Sequence, residues 1–261
     1  MVTVLQTVLG VTALVYLHGW CGLWTGLARM IQPWHAGSFL LGLFAVWLAL
    51  ASPVAAHDQH FLTVHMIQHL LLMSVAAPLI LLGQPLLVLT NGLPSRLVDA
   101  VGRLLCRQRI QQLGAALVTP TLCWIAATAA LVVWHVPAAL TLTMQSAPWH
   151  VVAKASFAVT GLLFWWPVVQ PWPSVPAPQW STVLYLFLAM LPCDILSAFL
   201  VFSDRIAYST YVSMPGHTSL SVLEDQQIAG ALMWTVVTLV YLTAGTIVAT
   251  RLLTPRAVEA V

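Results

Sequence analysis

Long apolar runs recur along the chain near 3–25, 37–56, 61–83, 116–139, 149–169, 181–202 and 227–250. A helix crosses a bilayer with about 20 mostly apolar residues, because 1.5 Å per residue must cover a hydrocarbon layer roughly 30 Å thick. The runs are continuously apolar and show no sustained alternation, which argues against a membrane β-barrel. The pattern therefore predicts an all-α polytopic membrane protein with seven transmembrane helices, forming one domain over residues 1–261. Composition agrees, since 60% of residues are hydrophobic and 6% charged, whereas water-soluble chains carry roughly 25% charged residues. A net charge of +2 without a basic run leaves no nucleic-acid partner, because phosphate neutralisation needs clustered Lys and Arg.

Arginine placement orients the spans, since short cytoplasmic loops accumulate positive charge. Arg29, the group Arg96, Arg103, Arg107 and Arg109, and the tail residues Arg251 and Arg256 all fall on one side. Arg205 and Lys154 fall on the other, with Asp58, Asp204, Glu224 and Asp225. The expected topology has the N-terminus outside and the C-terminus cytoplasmic. The first ten residues, MVTVLQTVLG, carry no positive segment, so the first span is expected to remain uncleaved. Most of the tryptophans suit the two interfaces, with Trp20, Trp24, Trp34, Trp124, Trp172 and Trp180 inside and Trp134 and Trp149 outside. Near 94–112, Leu97, Val101, Leu104 and Leu105 share one helical face and Arg96, Arg103 and Arg107 another, which predicts an interfacial helix lying against lipid. The segment holding Pro171, Pro173, Pro176 and Pro178 is expected to be extended.

Nine histidines stand in this apolar chain, and most of them gather toward the expected outer face. The block HDQHFLTVHMIQH supplies His57, His60, His65 and His69. On a helix His65 and His69 lie one turn apart on one face, with Met73 one turn deeper. His135 ends the fourth span, His150 begins the fifth, and His217 with Met214 lies in the last outer loop. Imidazole suits copper, zinc and iron, while thioether sulfur selects Cu(I), so a mixed His and Met cluster favours copper. Rings placed within a span are costly unless used, which makes His65 and His69 the central metal candidates. His57, His60, His135 and His150 complete the set, with Met73, Met214 and His217 as weaker members. His18 and His35 stand apart and are read as structural. The scattered cysteines Cys21, Cys106, Cys123 and Cys193 form no CxxC pair and are read as packing residues.

Two acidic positions remain. Asp194 lies well inside the sixth span, where an ionised carboxylate costs at least ~2.5–3.5 kcal/mol, so a partner or a proton is implied. Asp225, at the start of the seventh, can orient an imidazole or act as a hard ligand, and acidic residues also simply favour helix N-termini. No GxSxG, Walker or HExxH pattern occurs, and no enzymatic activity is expected.

The histidine block running into HMIQHLLLMSVAAPLILLGQP, the WHVP and WH pairs, and the Asp225-Gln226 region before Gly230 and Met233-Trp234 resemble the seven-span CtaG-type cytochrome c oxidase assembly factors. The resemblance covers nearly the whole chain from the second span. It implies a multi-pass protein of the bacterial inner membrane whose partner is a haem-copper oxidase subunit, with copper as cargo and a periplasmic copper donor upstream. It also implies ligand exchange rather than catalysis. Two rival readings of the histidines stand beside it: a haem-binding electron carrier, with imidazoles as axial ligands, and a copper permease, which needs polar groups continuing inward.

Overall fold

The computed structural model describes residues 2–26, 31–170, 180–213 and 220–254. Among them every regular element is helical. The order is α1 (Val2–Gly26), α2 (Pro33–Ala51), α3 (Leu62–Leu70), a π-helix (Leu71–Ala76), α4 (Ala77–Leu82), α5 (Pro85–Gly92), α6 (Ser95–Leu105), α7 (Gln108–Leu117), α8 (Pro120–His135), α9 (Pro137–Gln145), α10 (Ala147–Val169), α11 (Trp180–Phe202) and α12 (Val222–Leu253). Short 3-10 turns cover Val54–His57 and Ser209–Ser213. Six spans are long and apolar enough to cross a membrane, and α7 with α8 makes a seventh if the pair, bent by 59°, counts as one. Helices suit that solvent because their backbone polar groups are satisfied within the segment.

Prolines set the limits of the fourth span more tightly than hydropathy does. Thr119 and Val136 both have extended backbones before Pro120 and Pro137, as proline disfavours helical geometry in the residue it follows. The apolar stretch 116–139 therefore yields a helix of 16 residues, about 24 Å long, followed by the separate α9. The amphipathic stretch 94–112 likewise divides, into α6 and α7. Leu97, Val101 and Leu104 are exposed, so the apolar face of α6 is uncovered by protein, as a face against lipid is. The apolar stretch after Gly83, outside the seven expected spans, folds as α5 and packs along α1. Their backbones nearly touch: a Cβ on Gly19 would lie 2.0 Å from the Val88 carbonyl oxygen, so only glycine permits this crossing.

The third span is the centre of the bundle. Its α3 part packs on α12, and its π-helix and α4 pack on α2 and α10. The π-helix has a local cause. Pro78 lacks an N–H and clashes with the carbonyl four residues earlier, so the preceding turn cannot close as a regular α-helix. The Trp165 indole N–H donates to the Met73 carbonyl at 2.9 Å, supplying from α10 a donor that proline cannot. Gly161 lets α10 approach this widened turn, since a Cβ there would lie 2.9 Å from the Met73 Cα. Two apolar clusters result. The larger joins α3, α8, α10, α11 and α12 around Met66, Phe164, Leu186 and Met233. The smaller joins α1, α2 and α5 around Tyr16 and Phe39, whose rings stack at 3.9 Å.

Candidate functional site

The start of α3 is fixed by a residue from the far end of the chain. Asp225 of α12 accepts hydrogen bonds from the Leu62 N–H at 2.6 Å and the Thr63 N–H at 3.3 Å, and its own carbonyl accepts from the Thr63 hydroxyl at 3.2 Å. The first N–H groups of a helix have no partner within it, so this carboxylate serves as the cap of α3. Glu224 beside it does the local work instead, closing a capping box with Ser221 at the start of α12. Gln226, also buried, holds the 205–207 loop by accepting from the Ala207 N–H and donating to the Arg205 carbonyl.

One turn into α3, three imidazoles meet. His65, His69 and His135 are all buried. The His65 and His69 ring centres are 4.1 Å apart and those of His69 and His135 5.8 Å. His69 rests on the Phe157 ring, centre to centre 3.9 Å. Its two ring nitrogens are buried and neither has a hydrogen-bond partner. Nδ1 of His65 is buried and unpartnered as well. A neutral imidazole always carries one N–H, and leaving a buried donor unpaired costs about 1–3 kcal/mol.

His135 is held differently. Its Nδ1 lies 2.6 Å from the Leu131 carbonyl, which only accepts, so the proton sits on Nδ1. Nε2 then presents its lone pair to the Met66 sulfur 3.3 Å away. A ring nitrogen tied to a carbonyl while the other faces soft donors is how metal-binding histidines are commonly oriented. The Tyr208 hydroxyl donates to the His135 carbonyl at 3.0 Å, which fixes the end of α8 from the loop after α11. Among the described residues, no three His, Cys, Asp or Glu side chains are arranged to hold one metal ion. Any metal bound at this cluster would have to draw on the Met66 thioether and its neighbours.

The other histidines have other surroundings. His150 donates through Nε2 to Asp58 at 2.9 Å, and Lys154, one turn further along α10, donates to the same oxygen at 2.7 Å. Burial raises the Asp58 pKa, but the His150 and Lys154 hydrogen bonds outweigh it and hold the carboxyl well below the usual carboxylate range. The Tyr211 hydroxyl donates to the Asp58 carbonyl. Asp58, Lys154, Tyr208 and Tyr211 were not among the expected site residues. Lys154 carried a usable signal: a cation just inside a span requires a counter-charge, and it shares a helical face with His150.

His57 is exposed, with Nδ1 3.1 Å from the Pro53 carbonyl, and its ring lies 6.2 Å from that of His60. His60 Nδ1 is buried without a partner. Met73 sits on the π-helix and, with His69 and His135, borders a small cavity of about 50 Å³. Asp194 lies midway along α11, partly buried, with Oδ1 unpartnered. Met214 and His217 lie outside the described residues, as do Arg29, Trp172, Arg256 and the 171–178 proline segment. His35 Nδ1 accepts from the Gln32 N–H at 3.0 Å in the first turn of α2.

No curated protein and no solved structure matches the chain. The family model described as cytochrome c oxidase caa3 assembly factor (Caa3_CtaG) matches residues 14–254. With that match spanning α2 to α12 and the whole histidine cluster, the chain belongs to the caa3-type cytochrome c oxidase assembly factor family.

Proposed function

We infer that the protein serves oxidase assembly by holding a copper ion within the cluster of His65, His69 and His135, with imidazole and the Met66 thioether as its ligands, and passing it to a haem-copper oxidase subunit in the same membrane. The observation that carries this reading is His69, a buried imidazole with no partner on either nitrogen between two other buried imidazoles. Native structures rarely leave such groups unpaired unless a ligand, ion or water completes them. The donor set supports copper over harder ions, because thioether and imidazole face the site and no carboxylate does.

Transfer is ligand exchange, with no bond of a substrate made or broken. His57 and His60, on the loop before α3, are the first acceptors for copper arriving from a periplasmic donor. The arginine bias puts this end of the bundle outside the bacterial inner membrane. The Asp58, His150 and Lys154 group holds the turn after α2 against α10.

Volume speaks against haem at His69, while His135 also borders an open groove of about 1030 Å³ between α8 and α11. The cavity beside His69 measures about 50 Å³, whereas ligand pockets occupy roughly 300–1,000 Å³. A permease reading gains no support from Asp194, the partly buried acidic candidate, which does not border that cavity.

The test is oxidase-bound copper per haem in strains lacking the protein or carrying His69→Ala, with total cellular copper matched. The expected result is oxidase polypeptide and haem at normal amounts with the copper centre depleted in both strains. A normal ratio in the null strain rejects copper delivery.

A further inference from the structure

Beyond His69, deeper in the bundle, the third span borders a cavity of about 50 Å³. Four sulfur-bearing side chains from four elements line it: Met66 from α3, Met73 from the π-helix, Cys193 from α11 and Met233 from α12. His69 and His135 line it too, His69 bringing the unpartnered ring nitrogens described above. Met66, Cys193, Met233 and His69 are each no more than 5% exposed.

Methionine ordinarily fills gaps in a core, and a well-packed core leaves few voids larger than water. Here the sulfur-bearing side chains surround a space instead of filling it. The space is large enough for an ion or a few waters. No Asp, Glu, Lys or Arg borders it, so hard divalent ions find no charged oxygen there. A soft monovalent ion is the species that neutral thioethers and imidazole bind well. The π-helix is what brings Met73 to this wall, and π-turns recur at functional sites.

We propose that this sulfur-lined cavity is a Cu(I) site, with His69 and the Met73 and Met233 thioethers as its ligands, His135 on its wall and His65 outside it. The proposal rests on the copper reading of the outer histidines and specifies the oxidation state and the resting place of the ion. Binding by imidazole and thioethers moves no proton and no electron. His69 stands between the cavity and His65, whose ring centre is 4.1 Å from its own.

The experiment loads the purified full chain with Cu(I) under ascorbate and records X-ray absorption at the copper edge, with affinity measured by competition against a chromogenic Cu(I) chelator. The comparison is a Met73→Leu, Met233→Leu double variant, which removes both sulfurs at nearly constant volume, and His65→Ala. Sulfur neighbours around copper in the wild type, lost in the double variant together with at least a tenfold fall in affinity but kept in His65→Ala, is the expected result. Sulfur neighbours and affinity unchanged in the double variant overturn the cavity site and leave the outer reading, with its Met66 thioether, standing. A wild-type protein that takes up no copper overturns both.

Discussion

Asp225 of α12 accepts the Leu62 N–H at 2.6 Å, so the helix that carries His65 and His69 is capped by a residue more than 160 positions away in sequence. The position of the histidines is thereby tied to the docking of α12 on α3. Asp225→Ala should lower stability by about 1–2 kcal/mol through loss of the cap, and Asp225→Asn by less, because the amide oxygen still accepts. Thermal unfolding in detergent, followed by tryptophan fluorescence, checks this. An unchanged midpoint for Asp225→Ala removes the cap from the account.

The turn before α3 adds a pH dependence. Asp58 is held below its usual range by His150 and Lys154 despite burial. A carboxyl whose pKa is depressed in the fold stabilises that fold above the unfolded value of about 3.9 and loses this contribution as pH falls toward the folded value. Wild-type stability should therefore decline as pH drops below about 4. Asp58→Asn should be less stable at pH 7 by about 3–5 kcal/mol, because Lys154 is left without its counter-charge, and should show a smaller acid-dependent loss than the wild type. Chemical unfolding at pH 7 and pH 3.5 for the two proteins separates these expectations. Parallel pH curves would remove Asp58 as the titrating group.

Glycine substitutions test the packing around the π-helix. A Cβ at Gly161 would stand 2.9 Å from the Met73 Cα, and backbone cannot yield as a side-chain tip can, so Gly161→Ala should cost about 1–3 kcal/mol. Gly102 in α6 has nothing within 4 Å of the same position. There the substitution should be neutral or should stabilise by up to about 1 kcal/mol, as helix propensity favours alanine. Equal effects at the two sites would contradict the close approach of α10 to Met73.

The spans were legible because hydropathy over twenty residues is a bulk property, and the pairing of His65 with His69 because one helical turn is fixed geometry. His135 joined them as its place at the end of the fourth span implied. His150 has the same WH signature yet pairs with Asp58, since its neighbour one turn on is Lys154 and an intramembrane cation draws the nearest carboxylate. The π-helix was hidden because Pro78 alone reads as a kink or a break. Only the Trp165 indole, from a distant helix, makes the widened turn sustainable. Asp225 read as a possible ligand because a carboxylate near imidazoles suits either role, and its long-range contact with α3 leaves no local signature.

The last prediction concerns what His69 contributes when no metal is present. Its nitrogens are buried without partners, and an orphaned imidazole donor costs about 1–3 kcal/mol. Replacing it by an apolar side chain of similar size removes that cost, so His69→Leu should be as stable as the metal-free wild type or more so by about 1–2 kcal/mol. Under Cu(I) the order should reverse. A ligand that binds only the folded state stabilises it by about 2.7 kcal/mol at a hundredfold excess over Kd, and this gain should appear in the wild type and vanish in His69→Leu. Thermal unfolding of both proteins with and without Cu(I) makes a four-way comparison. A core histidine retained for packing alone gives a different pattern: destabilisation by His69→Leu in the absence of metal and no copper response in either protein.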